Sequence, residues 1–330
     1  MGKRSYLLSS RRSLSLCALS VFFSGTLMAQ SYSHFTLHQY NPSFLNPASA
    51  AQNDEVRLAA FHRSQYVGLS SEAIGTQVVS IDAKLPSRPF TTGIHFSHDY
   101  IGLQRSMGIR IDGGWHAIRK ENFTMSTGFG LGFRNLSWDG NQMITPDGIY
   151  AGGIDHQDNV LSNTLFNAQG FEWRAGIQLA YKRFSVDVGS INFPKAQRRG
   201  ENNYKVAASS QSWLRMKYQL EVSDQWRLVP QALILTDGRL VQYSLSLHLT
   251  HDKWLIGLNQ RGLTSTTLEA LGSTVGYTFG KNFQVLYNYE YNLSLLRGVN
   301  MGSHELCLKW RRPIKAKQGS WGRVYHGRYL

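Results

Sequence analysis

The chain has 330 residues, of which 42% are hydrophobic, 12% aromatic and 17% charged. That composition excludes a disordered chain and suits one large all-β domain or two ordinary ones. The formal charge of +14 is gathered at the two ends, leaving only +4 for residues 30–310, which argues against a basic nucleic-acid-binding domain.

The N-terminal 29 residues have the layout of an export signal. Lys3, Arg4, Arg11 and Arg12 form a basic start, an apolar run extends from Leu14 to Met28, and Ala29 precedes Gln30. Leu27 is larger than an ideal residue at the −3 position, so the cut falls within a residue or two of Ala29. Cys17 follows Leu16 and lies inside the apolar run, unlike a lipoprotein site. Loss of residues 1–29 leaves one cysteine, Cys307, and a single cysteine cannot form an internal disulfide. No later stretch approaches the ~20 apolar residues of a spanning helix. A mature chain that enters a membrane must therefore do so as a closed barrel.

Residues 30–54 come next and contain two Asn-Pro pairs, Asn41-Pro42 and Asn46-Pro47. Each proline removes a backbone donor and each asparagine favours a turn. A lead-in or plug packed at the barrel mouth fits this segment better than a direct docking site. His34 and His38 share a face, but no third metal ligand is nearby.

From residue 55 onward the pattern alternates with a period of two. Val241, Tyr243, Leu245, Leu247 and Leu249 alternate with Gln242, Ser244, Ser246 and His248. Phe283 to Tyr291 and Leu306 to Trp310 repeat the pattern. Each such strand has one apolar and one polar face. About fourteen strands are predicted, at 55–62, 74–83, 91–99, 105–118, 123–136, 171–181, 184–191, 211–221, 226–236, 240–250, 253–259, 267–279, 282–291 and 303–310. Many have the length a tilted strand needs to cross a bilayer. His95 and His98 fall on opposite faces of their strand, a poor arrangement for one metal. Gly128, Gly130 and Gly132 ease close packing or curvature inside a barrel rather than cradle phosphate. His304 and Glu305 also fall on opposite faces and cannot be an acid–base pair. Glu305 and Lys309 are expected to form an ion pair in the lumen.

The connections alternate in length. Arg119 to Asn122, Lys182-Arg183, Val222 to Gln225, His251-Asp252 and Gly280-Lys281 are tight, and Lys84 to Phe90 is slightly longer. Most alternate connections are longer, notably Ser137 to Gly170 and Asn192 to Ser210. Short turns at one rim and long loops at the other are expected of an outer-membrane barrel. Trp173, Tyr181, Tyr218, Trp226, Trp254 and Trp310 lie near strand ends, where aromatic girdles form. The predicted architecture is all-β: a single antiparallel transmembrane β-barrel at 55–310, preceded by the Asn-Pro segment and followed by a basic periplasmic tail at 311–330.

Four motifs carry a family resemblance. Gln39-Tyr40-Asn41-Pro42-Ser43-Phe44-Leu45-Asn46-Pro47-Ala48 opens the mature chain, and Arg63-Ser64-Gln65-Tyr66-Val67-Gly68 follows the first strand. Asp99-Tyr100-Ile101-Gly102 follows the third strand, and Gly302-Ser303-His304-Glu305 opens the last. In order and spacing over about 35–310 they resemble the PorP/SprF family of type IX secretion system membrane proteins. Ala51 stands where the family usually has glycine, and the basic tail lies beyond the resemblance. The resemblance implies a bacterial outer-membrane barrel that supports secretion or surface attachment of exported proteins, including adhesins, in bacteria that often glide. Its implied partners are periplasmic and cell-wall-anchored secretion components, cargo and outer-membrane lipid, not nucleic acid. It implies neither an enzyme nor a cofactor. Asn41, Pro42, Asn46, Pro47, Arg63, Gln65 and Tyr66 become candidate partner-binding residues, and Gly68, Gly302, Ser303, His304 and Glu305 motif residues with structural roles. A porin or small-molecule transporter is the alternative, since a fourteen-strand barrel is wide enough for a lumen. An outer-membrane hydrolase would need a nucleophile and a base at the lumen edge, and the sequence offers no convincing set.

Overall fold

A computed structural model describes residues 35–50, 54–69, 74–86, 88–157, 164–192, 197–200, 205–207, 210–263 and 267–314. The predicted export signal at 1–29 and the residues beyond 314 lie outside the described residues. The strands are β1 (Glu55–Gln65), β2 (Ile74–Lys84), β3 (Phe90–Ile101), β4 (Gln104–Arg119), β5 (Phe123–Asp139), β6 (Leu165–Tyr181), β7 (Phe184–Ile191), β8 (Gln197–Gly200), β9 (Lys205–Ala207), β10 (Gln211–Tyr218), β11 (Leu220–Glu221), β12 (Trp226–Thr236), β13 (Val241–His251), β14 (Trp254–Leu263), β15 (Thr267–Phe279), β16 (Phe283–Asn292) and β17 (Ser303–Pro313). Successive wall strands pair antiparallel, and β17 pairs with β1 to close the sheet. The short strands β10 and β11 are two parts of one wall strand, both paired with β12. The β8–β9 hairpin stands outside the wall, with β8 beside β6. The result is a closed fourteen-stranded antiparallel barrel, as the period-two pattern predicts.

The alternation is oriented as a membrane barrel requires. On β3, Ile94 and Phe96 are exposed, while His95 and Ser97 are buried. On β14, Leu258 is 67% exposed, and on β17 Glu305 is 1% exposed. An apolar outside and a polar inside is the reverse of a soluble core and matches a wall facing lipid. Among the described residues no helix is long and apolar enough to span a membrane.

One rim carries the short turns. Lys182 and Asp252 take positive φ values of 51° and 50° in two-residue turns, the backbone hand that hairpins of twisted strands favour. The other rim carries the long connections, with tight exceptions between Ile101 and Gln104, Thr236 and Val241, and Leu263 and Thr267. Several strands run further than their hydropathy indicates. The β5–β6 ladder continues to Asp139↔Leu165, β14 extends to Leu263, and β17 pairs on to Pro313. Strand ends beyond the lipid slab need no apolar face, so pairing continues where the hydropathy signal fades.

Candidate functional site

Residues 35–50 fill the lumen. They form a 3-10 turn at His38–Tyr40, one α-helical turn at Pro42–Leu45 and a second 3-10 turn at Pro47–Ser49. The two Asn-Pro pairs account for this shape. Each proline opens a turn, where its missing N–H costs nothing. The Asn46 side chain caps the second turn by accepting from Ala48 N at 3.0 Å. Asn41 instead donates across the lumen to Ser80 Oγ at 2.8 Å.

The barrel wall holds this plug with inward-facing polar side chains. Asp187 accepts from Asn46 Nδ2 at 3.1 Å and from Ser49 Oγ, and Arg215 braces it. Ser43 Oγ donates to Asp82 at 2.7 Å. Arg174 donates to Ser43 O at 2.9 Å and to Phe44 O, while the Arg110 guanidinium lies 4.4 Å from the Phe44 ring centroid. Higher in the lumen, Glu305 accepts from the backbone N–H of Thr36 at 2.9 Å and Leu37 at 2.8 Å. Gln231 hydrogen-bonds the His38 ring at 2.6 Å. Burial, with Arg215 adding to it, lowers the His38 pKa from its ordinary 6.5 to about 3, so the ring is neutral.

Apolar contacts complete the seal. Phe35 and Leu37 pack with Ala59, Phe61, Val78, Leu255, Leu286 and Cys307. Leu45 packs against Ile191, Trp213, Leu233 and Leu235. A cavity of about 50 Å³ is left between plug and wall, room for a few waters. The glycines of β4–β6 make the fit possible. A Cβ on Gly128 would lie 2.9 Å from Ala48 Cα and closer still to Pro47 C and Ala48 N. A Cβ on Gly176 would strike the Asn46 side chain. Gly130 and Gly132 make room for Asp112 with Arg174 and for Arg110 with Glu172.

The remaining motif residues meet at the β1–β17 seam. Arg63, 1% exposed, reaches Glu305 at 2.7 Å and Glu290 at 2.7 Å. Tyr66 N donates to Ser303 Oγ at 3.2 Å, Val67 N to Gly302 O at 2.9 Å, and Met301 N to Val67 O at 2.7 Å. Gly68 and Gly302 take φ values of 88° and 91°, a region glycine enters without strain. Gln65 and Tyr66 are half-buried at the long-loop rim, whereas Asn41, Asn46, Pro47 and Arg63 are buried. Pro42 is half-buried in the plug. His304 faces outward, where Tyr287 Oη meets its ring at 2.6 Å, on the opposite side from Glu305.

One expected pair is corrected. Glu305 is held by Arg63, not by Lys309. Lys309 lies four residues along the same strand, about 13 Å away at the strand rise, while Arg63 is directly opposite Glu305 in the register.

Other lumenal groups have no sequence motif. Arg134 pairs with Glu172 at 2.8 Å, and Arg174 pairs with Asp112. Their signal was charge at inward positions of otherwise apolar-alternating strands. Ser80, His95 and Asp112 also line up, with His95 Nδ1 2.8 Å from Ser80 Oγ and Nε2 2.7 Å from Asp112. All three are at most 2% exposed, and Asn41 and Phe44 of the plug cover them. This is the nucleophile–base–acid order a hydrolase uses, but no substrate reaches Ser80 while the plug is seated. His98 turns outward to the Tyr100 ring, away from His95.

Comparisons with known proteins fit this geometry. The model of a family described as type IX secretion system membrane protein PorP/SprF matches residues 27–310. No curated protein matches the sequence. The Ralstonia pickettii toluene transporter TbuX is similar in structure, with TM-score 0.51, 8% identity, and coverage of 84% of this chain and 94% of that one. A Pseudomonas aeruginosa FadL homologue is similar with TM-score 0.50, 10% identity, and the same two coverages, 84% and 94%. At these identities the likeness is one of fold, an outer-membrane barrel.

Proposed function

The chain belongs to the PorP/SprF family of type IX secretion system membrane proteins, and from that premise we propose that it is a docking component of the secretion machine. In this reading it supports secretion or surface attachment of exported proteins, adhesins among them, through protein contacts rather than catalysis. Its place is the bacterial outer membrane. The plug carries the proposal. Residues 35–50 fill the lumen and are held there by Asp187, Asp82, Arg174 and Glu305, so the barrel is left with its rims and outer wall as working surfaces.

The short-turn rim faces the periplasm, as in bacterial outer-membrane barrels generally, with the basic tail on the same side. Periplasmic and cell-wall-anchored components of the machine dock there. The long connections, Asp139 to Leu165 and Ile191 to Gln211, face outward and hold cargo. Gln65 and Tyr66 stand at that outer rim beside the seam. Asn41, Pro42, Asn46, Pro47 and Arg63 act on partners indirectly, by keeping the plug seated and the seam rigid. Residues 1–29 direct export and are removed.

A porin or small-molecule transporter is the second reading. It draws on the fold shared with the toluene transporter TbuX and requires residues 35–50 to leave the lumen. Deletion of the gene, with secreted and surface-anchored cargo measured, separates the two. Loss of surface cargo, restored by the wild-type gene, supports docking. Unchanged secretion and surface display contradicts it.

A further inference from the structure

Among the described residues, the lipid-facing wall has a depression that the docking role does not use. It crosses the wall from Tyr218 of β10 over Pro230 and Ala232 of β12 and on to Leu271 of β15, has a volume of about 540 Å³, and opens to the membrane side of the barrel. Its origin is visible in the sequence. The outward residues of β12 here are Pro230 and Ala232, both low, whereas the paired outward residues of β13 are Leu247 and Leu245. Leu258 of β14 stands beyond them and is 67% exposed. Proline has no N–H to offer β10, and the β10–β12 ladder stops at Lys217↔Gln231, resuming only at Leu220↔Leu228. A low strand beside taller leucines makes a trough.

At the short-turn rim the trough ends at Phe184 and Tyr218, which are paired across β7 and β10. The adjoining turn is Lys182-Arg183. Arg183 pairs with Glu221 at 2.7 Å, but both groups are about half exposed, so the pair is weak and exchangeable. Lys182 Nζ lies 5.5 Å from the Tyr181 ring centroid. Lys120, Lys253 and Lys281 occupy three other turns of the same rim. An apolar trough ending in cations beside interfacial aromatics is complementary to one kind of molecule in a membrane.

We propose that this trough and the Lys182-Arg183 turn form a binding site for an anionic phospholipid, its acyl chain lying across Pro230 and Ala232 and its phosphate on the basic turn. The site rests on the orientation given above only for which leaflet supplies the lipid. Basic residues close to a membrane surface attract anionic headgroups, and the trough adds apolar contact that a flat wall lacks.

The test is native mass spectrometry of the full mature chain, released from nanodiscs containing phosphatidylglycerol or phosphatidylcholine. Folding of every variant is checked by heat-modifiable migration. Wild type should retain phosphatidylglycerol at least about fivefold over phosphatidylcholine. The K182E/R183E double variant should lower retained phosphatidylglycerol to the phosphatidylcholine level. A232W, which fills the trough, should lower retention of both lipids. Equal retention of the two lipids by wild type overturns the proposal, as does unchanged retention in either variant. If the rim cations serve an acidic protein instead, K182E/R183E leaves lipid retention unchanged, which is the same refutation. None of these readouts depends on secretion, so the site and the docking role fail separately.

Discussion

Replacing Gly128 with leucine should unseat the plug without breaking the barrel. A Cβ at this position meets plug backbone, with Ala48 Cα at 2.9 Å and Pro47 C and Ala48 N nearer. Carbon contacts settle at about 3.5–4.0 Å, so the plug must retreat by about an ångström. That retreat breaks the Asn46 bonds to Asp187 at 3.1 Å and to Ile177 O at 3.2 Å, and the Ser49 bond to Asp187. Three bonds at about 1 kcal/mol each, with some of the ~1–3 kcal/mol of overpacking relieved by the movement, give about 4 kcal/mol. The plug should then open about 100–1000 times more often, at about 1.4 kcal/mol per decade. Cys307 reports the opening, because it is fully buried against Phe35 and Leu37 and is the free cysteine among the described residues. Maleimide labelling of Cys307 in folded protein should be slow in wild type and faster by that factor in G128L. A Cβ added to Gly113, on the preceding strand, would meet nothing within 4 Å, so G113L should label like wild type. Equal labelling of G128L and G113L would refute seating of the plug against β5.

Three further outcomes follow from the same contacts. Arg63→Met leaves Glu305 and part of Glu290 uncompensated in the lumen and should cost about 3–5 kcal/mol, read as a lower denaturant midpoint, with Arg63→Lys intermediate. His38 titrates at about 3 when the plug is seated and near 6.5 when it is free. A lowered folded-state value means that the free form takes up a proton first as pH falls, so plug retention should weaken from about pH 6.5 downward. His38→Gln should remove that part of the pH dependence of Cys307 labelling between pH 7 and pH 4. Wild-type protein should be silent in planar bilayers, and G128L should conduct in bursts; steady wild-type conductance would favour the transporter reading.

The wall was legible because lipid imposes a strict period of two. Val241 to Leu249 alternates without exception, and β13 faces as that pattern says. The turns were legible because six of them are short and polar. What escaped was everything that depends on closure of the ring. Arg63 and Glu305 are separated by 242 positions and meet only because β17 returns to β1. On sequence alone Lys309 is the nearer cation, and strand rise is what excludes it. The Asn-Pro segment suggested a plug, yet its depth is set by small residues far along the chain, Gly114, Gly128 and Gly176, whose missing side chains leave the space it occupies. The alternating glycines were visible, while the object they accommodate was not. Ser80, His95 and Asp112 come from three different strands, and only the register of β2, β3 and β4 aligns them.

A sealed barrel of this family should work by holding partners. Affinity purification of the tagged protein from solubilised outer membrane, identified by mass spectrometry, tests this most directly. Periplasmic or cell-wall-anchored type IX secretion components should be recovered in excess over an unrelated tagged barrel. Recovery of the barrel without any secretion component would contradict the docking role.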